Sequence, residues 1–440
     1  MLSIKNYIEK YIKGNEIFSR FVNVFSVDVV VRGANFLLIP VFLYLMTKEE
    51  FGVYGYLYSF AMTVSGILNF GFYLSITKLY ADTIEDKRGQ ASMLFTITTS
   101  LLVLVSISML IIYFSKVDVS FFSLLNKSND INSTTYLTYR VYVFLAILSM
   151  IFTNYLTFYF VSSEQIKKLQ AFNFIRFFLA NGTAVLVLYF SSADAAMLRL
   201  AITYFAEFLL TLVFGSFLVK KVIPKFDTYY LKKAFKIGTP VMIAALMGAM
   251  INFGDKFFVM KYAGVNDFAE YNLAILFATI ISIVFQSFNF VWLPLFFKEK
   301  DLSVLKRKTR RYTFIIFVCL IGLGLLIWLI IFAALKLKII PPNYTDGILI
   351  VLSILILSQI FASLIGLYIN YMTYFEKTYI QVFVGGGLSV IGYFLFDYFT
   401  KYYLGIGAAI VLLILNIISF IFYYLRTQYY INNRLKQKTL

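Results

Sequence analysis

The chain has 440 residues, of which 61% are hydrophobic and only 14% charged, with a mean hydropathy of +0.82 and a formal net charge of +17. Soluble domains are about half apolar and about a quarter charged, so the composition excludes an ordinary soluble protein and indicates one built into a membrane. Histidine is absent and Cys319 is the single cysteine, which excludes His-based catalysis, His or thiolate metal sites, His proton relays and a disulfide framework.

The opening stretch MLSIKNYIEKYIKGNEIFSR reads as a short amphipathic, basic lead; it lacks the charged start, apolar middle and small-residue cleavage site of a secretory signal. After it come twelve apolar spans, at about 20–46, 53–79, 91–115, 134–161, 172–190, 194–219, 237–262, 268–297, 312–335, 346–372, 379–399 and 404–425. Each is about 20 residues or more, long enough to carry a helix across a hydrocarbon core. The weakly alternating segments of about ten residues that mark an outer-membrane barrel are not the pattern here. The expected fold is therefore an all-α integral membrane bundle of twelve transmembrane helices.

The connections are short, and the largest external one, KVDVSFFSLLNKSNDINS at about 116–133, is too small for a catalytic domain. The basic residues gather in two of them. Lys220, Lys221, Lys225, Lys232, Lys233 and Lys236 follow span six, and Lys298, Lys300, Lys306, Arg307, Lys308, Arg310 and Arg311 follow span eight. Connections after odd-numbered spans hold little: Lys48, Lys116 with Lys127, Lys336 with Lys338, and Lys401. The positive-inside rule then places both termini and the even-numbered connections in the cytoplasm. The basic balance is a topology signal and not a nucleic-acid footprint.

The chain also repeats itself. Sliding residues 33–57 forward by 217 positions lays Asn35-Phe36 on Asn252-Phe253, Glu50 on Asp267, Phe51 on Phe268 and Tyr54 on Tyr271. Further on, NFGFYLSITK from Asn69 resembles NFVWLPLFFK from Asn289, at an offset of 220. Six spans precede the basic central connection and six follow it. The expected division is an N-terminal six-helix lobe, 1–225, and a C-terminal one, 226–440, related by an axis along the membrane normal, with a substrate site between them near the midplane.

The segment YLMTKEEFGVYGYLYSFAMTVSGILNFGFYLSITKLYAD, 44–82, resembles the opening of bacterial Wzx-type polysaccharide flippases, members of the multidrug/oligosaccharidyl-lipid/polysaccharide (MOP) exporter superfamily. Glu50-Phe51-Gly52-Val53-Tyr54 and Asn69-Phe70-Gly71-Phe72 carry the likeness. DKFFVMKYAGVNDFAEYNLA, 255–274, is similar to the superfamily's turn between helices seven and eight. The resemblance implies two lobes in a V around a central cavity, as in MATE transporters. It also implies translocation of undecaprenyl-pyrophosphate-linked oligosaccharide repeat units across the bacterial inner membrane, for O-antigen, lipopolysaccharide or capsule assembly. A polysaccharide polymerase and a chain-length regulator are then candidate partners.

Ionisable residues deep in a membrane cost about 2.5–3.5 kcal/mol each on insertion scales, so they pair or face a wet cavity. The candidates are Asp28 and Arg32 in span one, Arg140 in span four, Arg199 and Glu207 in span six, and Asp255 with Lys256 in span seven. Asp28 and Arg32 are spaced to pair on one helix face. Asp255 and Lys256 are about 100° apart on a helix and are not expected to share one neighbour, which points Lys256 to the cavity. Arg32, Lys256, Arg199 and Arg140 are the candidate cations for a diphosphate, since Arg in particular stays charged when dehydrated. Asp28, Glu207 and Asp255 are candidate coupling carboxylates, with proton or sodium coupling left open and no cofactor or metal expected. For each one, simple neutralisation of a nearby cation is the competing reading. Arg176 and Lys261, nearer the span ends, suit snorkelling.

Pro40, Pro240 and Pro294 mark bends, and Gly385-Gly386-Gly387 in span eleven favours close helix packing. Two rivals remain from sequence. A membrane polysaccharide polymerase would find only Lys48-Glu49-Glu50 as a faint acidic motif. A drug or sugar carrier of the MOP or major-facilitator type would have DKRGQ, 86–90, as a partial match to the latter's basic turn.

Overall fold

The computed structural model describes Gly33, residues 36–125, 132–299, 301–345, 347–375, Lys377 and residues 379–439. The helices are α1 (Phe36–Leu45), α2 (Lys48–Leu68), α3 (Phe72–Asp82), α4 (Lys87–Ser115), α5 (Val117–Ser123), α6 (Ser133–Ser162), α7 (Ile166–Phe190), α8 (Ala195–Val219), α9 (Thr228–Asn252), α10 (Gly254–Lys298), α11 (Leu302–Lys336), α12 (Gly347–Tyr374) and α13 (Tyr379–Thr439).

Two of these are hairpins. At 1.5 Å per residue a straight α10 would put Tyr271 about 24 Å from Asp255, yet the Tyr271 hydroxyl donates to Asp255 Oδ2 at 2.9 Å. The chain reverses at Gly264, whose φ of 81° and ψ of −178° leave the helical region. α13 reverses likewise at Leu404, φ 50°, so that Gly392 packs on Leu415. Nine helical stretches among the described residues are long and apolar enough to cross a membrane. Dividing the two hairpins and adding α1, the described part of span one, gives the twelve spans. They form two six-helix lobes.

The caps explain where the acidic residues go. Thr47 accepts from the Glu50 amide while Glu50 accepts from the Thr47 amide, a capping box that starts span two. Asp86, Asp194, Asp227 and Asp301 cap α4, α8, α9 and α11. DKRGQ is thus a helix start, with Asp86 Oδ1 accepting from the Gly89 amide at 2.9 Å.

Several boundaries differ from the expected ones. Span two is interrupted at the NFGF motif, where Phe70 and Gly71 have φ of 52° and 66°. Gly71 meets both needs of that break. It tolerates the left-handed backbone, and its missing side chain admits the Gly238 carbonyl, which would lie 2.5 Å from a Cβ. Span seven is broken at Phe253, between α9 and α10. Lys306 to Arg311 continue α11 as helix instead of forming a loop, and α13 runs on to Thr439, so both project beyond the apolar slab on the basic face. There Lys308 hydrogen-bonds Glu299 at 2.6 Å and holds its carboxyl below the ordinary range.

The lobes meet along span two. Its α2 half lies on span eight and its α3 half on span seven, with Ser75 Oγ donating to the Ala234 carbonyl at 2.9 Å. Under the offset of 217, Gly52 corresponds to Ala269 and Gly55 to Asn272. Each faces its own equivalent: a Cβ would lie 3.3 Å from Ala269 Cβ on Gly52, and 2.3 Å from Asn272 Nδ2 on Gly55. Equivalent residues touch each other on a two-fold axis, so the pseudo-symmetry axis of the repeat passes between α2 and the start of span eight.

Candidate functional site

The interface around that axis is closed on the face opposite the basic connections. Lys48 Nζ lies 2.6 Å from Glu270 Oε1 and 3.1 Å from the Asn343 carbonyl oxygen, joining the two lobes. Glu270 also accepts from the Thr345 amide at 3.0 Å and the Thr345 hydroxyl at 2.8 Å, and the Tyr44 hydroxyl donates to the Lys338 carbonyl. Both Lys48 and Glu270 side chains are 14% exposed, sheltered enough for the pair to matter energetically.

Beneath this latch sits an aromatic plug. Tyr56 contacts Phe268 at 5.5 Å and Phe253 at 5.4 Å, Phe60 contacts Phe253 at 6.0 Å, and Phe121 contacts Phe257 at 5.2 Å, all ring to ring. Phe121 and Phe122 come from α5, in the connection that the sequence places outside the bundle. Its greasy half turns inward instead, because two phenylalanines and an aspartate all find partners there. Such ring pairs each add about 0.5–1.5 kcal/mol beyond their burial.

The predicted site residues separate into distinct environments. Arg140, expected to be a cavity cation, is the anchor of α5. Its Nε and Nη2 reach Asp118 Oδ2 and Oδ1 at 2.7 and 2.9 Å, and Nη2 also donates to the Ile112 and Tyr113 carbonyls. Tyr136 adds a hydrogen bond to Asp118 at 2.9 Å. Both charges are buried, and a bidentate pair so enclosed leaves little of the guanidinium for a ligand. Sequence reasoning missed Asp118 as a partner, although an Asp four residues before Phe122 in the longest external loop was a legible signal.

Arg199 lies within the N-terminal lobe, its guanidinium between the rings of Phe42 (3.6 Å) and Tyr54 (3.9 Å), with Nη1 at 3.5 Å from Met46 Sδ. Glu207 faces Arg176 across 3.9 Å, joining spans five and six. Arg176 is therefore paired on its inner side as well as placed near a span end.

Asp255 and Lys256 depart from the helical expectation. Lys256 Nζ folds back to the Asn252 carbonyl at 2.8 Å and to Asp255 Oδ1 at 3.3 Å. The break at Phe253 is the cause, since it releases the Asn252 carbonyl from the helical ladder and lets an adjacent pair share one pocket. Asp255, 1% exposed, is held by Tyr271 and Lys256 together. Lys261, expected to snorkel, reaches Asp397 of span eleven at 3.2 Å, where Tyr262 also donates at 2.6 Å. The repeat-related tyrosines play matching parts: Tyr54 stacks on Arg199 in one lobe, and Tyr271 bonds Asp255 in the other. Asp28 and Arg32 lie outside the described residues. No group of three or more acidic or cysteine side chains able to hold a metal occurs among the described residues.

Comparisons with known proteins agree with this architecture. An inward-facing multidrug resistance MATE family transporter of the MOP superfamily superposes with a TM-score of 0.68 at 15% identity, over 93% of this chain and 99% of that one. The lipid II flippase MurJ in an inward closed conformation gives 0.65 at 13%, over 92% and 87%. An outward-facing MATE transporter of the superfamily gives 0.60 at 13%, over 96% of each chain. At these identities the likeness is one of fold. A search of curated proteins by sequence finds no match. The family model for polysaccharide biosynthesis proteins matches residues 21–300, well over half of the sequence. With its twelve spans and paired lobes, the chain belongs to the polysaccharide biosynthesis protein family and has the fold of MOP-superfamily transporters.

Proposed function

We propose that this protein is a flippase for polyprenyl-diphosphate-linked oligosaccharides. In this reading it carries repeat units from the cytoplasmic to the outer leaflet of a bacterial inner membrane, for assembly of a surface polysaccharide. The observation that carries it is the closed interface opposite the basic face, in a member of a polysaccharide biosynthesis family. A bundle latched by Lys48 and Glu270 on one side is poised to load from the other, and the positive-inside rule makes the loading side cytoplasmic. Lobes 1–225 and 226–440 then rock about the axis between α2 and span eight.

The polar head must cross a slab that its sugars cannot enter unaided, so the protein's task is to give it a hydrated, cationic route while the chain stays in lipid. Arg32 and Lys256 are our assignments for the diphosphate. Lys256 is only locally held, on a carbonyl and a neighbouring carboxylate, and can exchange these for phosphate oxygens. Arg199 supports the site from within the N-terminal lobe, and Arg140 is set aside as an anchor. Asp28 and Glu207 remain the candidate coupling carboxylates, through a proton or sodium, whereas Asp255 balances Lys256. The polymerase alternative loses two members of its faint Lys48-Glu49-Glu50 motif, since Lys48 is used in the latch and Glu50 in the cap.

The test is reconstitution. Vesicles carrying a labelled polyprenyl-diphosphate oligosaccharide are treated from outside with an impermeant glycosidase. The reading expects protein-dependent exposure of the inner-leaflet pool, and equal protection with and without protein overturns it.

A further inference from the structure

One feature of the C-terminal lobe lies outside the latch, the plug and the buried charges. Spans seven and eleven touch at the level of Met247, where Ser389 Oγ donates to the Met247 carbonyl at 2.7 Å. There a Cβ on Gly386 would lie 3.1 Å from Met247 Sδ. Toward the basic face the two helices part, leaving a groove of about 510 Å³ lined by Phe235, Lys236, Thr239, Pro240, Ile243 and Val382. The far side of the same helical segment is fixed: Ala234 accepts from Ser75, and Gly238 is pressed against the Phe70 carbonyl. The groove wall is thus held in place by span two.

Three properties define what fits. The lining is apolar except for Thr239 and the exposed Lys236, which lies two turns from the start of α9. Pro240 has no N–H, so the Lys236 carbonyl receives no helical hydrogen bond and the helix can bend there. The groove is open on its outer side, so a hydrocarbon chain can enter it laterally from the bilayer. An apolar slot with a lining cation at its basic-face end complements a lipid chain bearing a phosphate head.

We propose that this groove holds the first isoprene units of the substrate's polyprenyl anchor, with Lys236 against its diphosphate, before the head enters the central cavity. The inference rests on the flippase reading and adds to it a docking place for the lipid. Lys236 serves as an entry contact, and Val382 and Ile243 grip the chain. The diphosphate favours Lys236 because its contact with the ammonium is charge-assisted.

The experiment uses the full-length protein in vesicles of phosphatidylethanolamine and phosphatidylglycerol containing a polyprenyl diphosphate with a photoactivatable group in its first isoprene units. Labelling is mapped by peptide mass spectrometry. We expect adducts on the 235–243 and 382 segments, competed by unlabelled polyprenyl diphosphate and not by added phosphatidylglycerol. Lys236→Gln should lower labelling about tenfold, and Lys236→Arg should largely retain it. Adducts elsewhere, equal competition by phosphatidylglycerol, or labelling unchanged in Lys236→Gln would each overturn the proposal. The glycosidase assay, run on vesicles of the same lipid composition that carry the labelled polyprenyl-diphosphate oligosaccharide, separates the two ideas: flipping without groove labelling removes the groove alone, whereas absent flipping removes the parent reading.

Discussion

Gly55 and Asn272 stand at equivalent positions of the two repeats and meet face to face, so closely that a methyl group on Gly55 would lie 2.3 Å from Asn272 Nδ2. A contact between equivalents marks the pseudo-symmetry axis, because only residues beside a two-fold axis can touch their own counterparts. In the proposed rocking of the lobes that axis is the pivot.

Widening the pivot should open the seal. Gly55→Leu forces overpacking worth about 1–3 kcal/mol against Asn272, relieved by separating the lobes at this end. A thiol placed by Ser59→Cys, in a Cys319→Ser background, should then react faster with an impermeant reagent applied from the face opposite the basic loops. Adding Asn272→Gly should return the rate toward its starting value; no change in reactivity in Gly55→Leu would contradict the pivot.

The Lys48–Glu270 pair should act as a latch. Glu270→Gln or Lys48→Met is expected to raise reactivity at the same thiol several-fold, for a loss of about 1–3 kcal/mol from a largely sheltered pair. The exchange Lys48→Glu with Glu270→Lys should recover most of the closure. Recovery that fails while both singles open the face would mean that the Thr345 and Asn343 contacts, not the ion pair, hold the lobes.

Arg140 should matter to folding. Arg140→Met leaves Asp118 buried without its partner, a loss of about 3–5 kcal/mol, read as a fall in Tm of the purified protein. Arg140→Met combined with Asp118→Leu should regain much of that Tm. A normal Tm in Arg140→Met together with lost transport would return this residue to the substrate route.

Arg32 and Lys256 should matter to transport. The double variant Arg32→Ala, Lys256→Ala is expected to reach the membrane in normal amount and to abolish exposure of the lipid-linked saccharide in the vesicle assay. Wild-type flipping by that variant would sink the cationic route.

Much of the architecture is legible in the sequence, for reasons that are local or compositional. Span length follows from hydrophobic runs, so all twelve spans could be read directly. The offset of 217 that pairs Phe51 with Phe268 and Tyr54 with Tyr271 needed only residue identity, and the two phenylalanines are both buried. Breaks were harder. The NFGF motif reads as a family mark, yet its role as a left-handed interruption depends on Gly238 approaching from another helix.

Helix number, the position of the basic face and the repeat of the halves are written in the residue order, because each follows from the cost of burying charge or from residue identity. The partners of the buried charges come from the packing of the helices. Arg140 found Asp118 on a short helix folded back into the bundle, Lys48 found Glu270 on the other lobe, and Lys256 found its own neighbour across a helix break. A buried charge is stabilised by whatever partner the fold brings within a few ångströms, and that distance is not a property of sequence spacing.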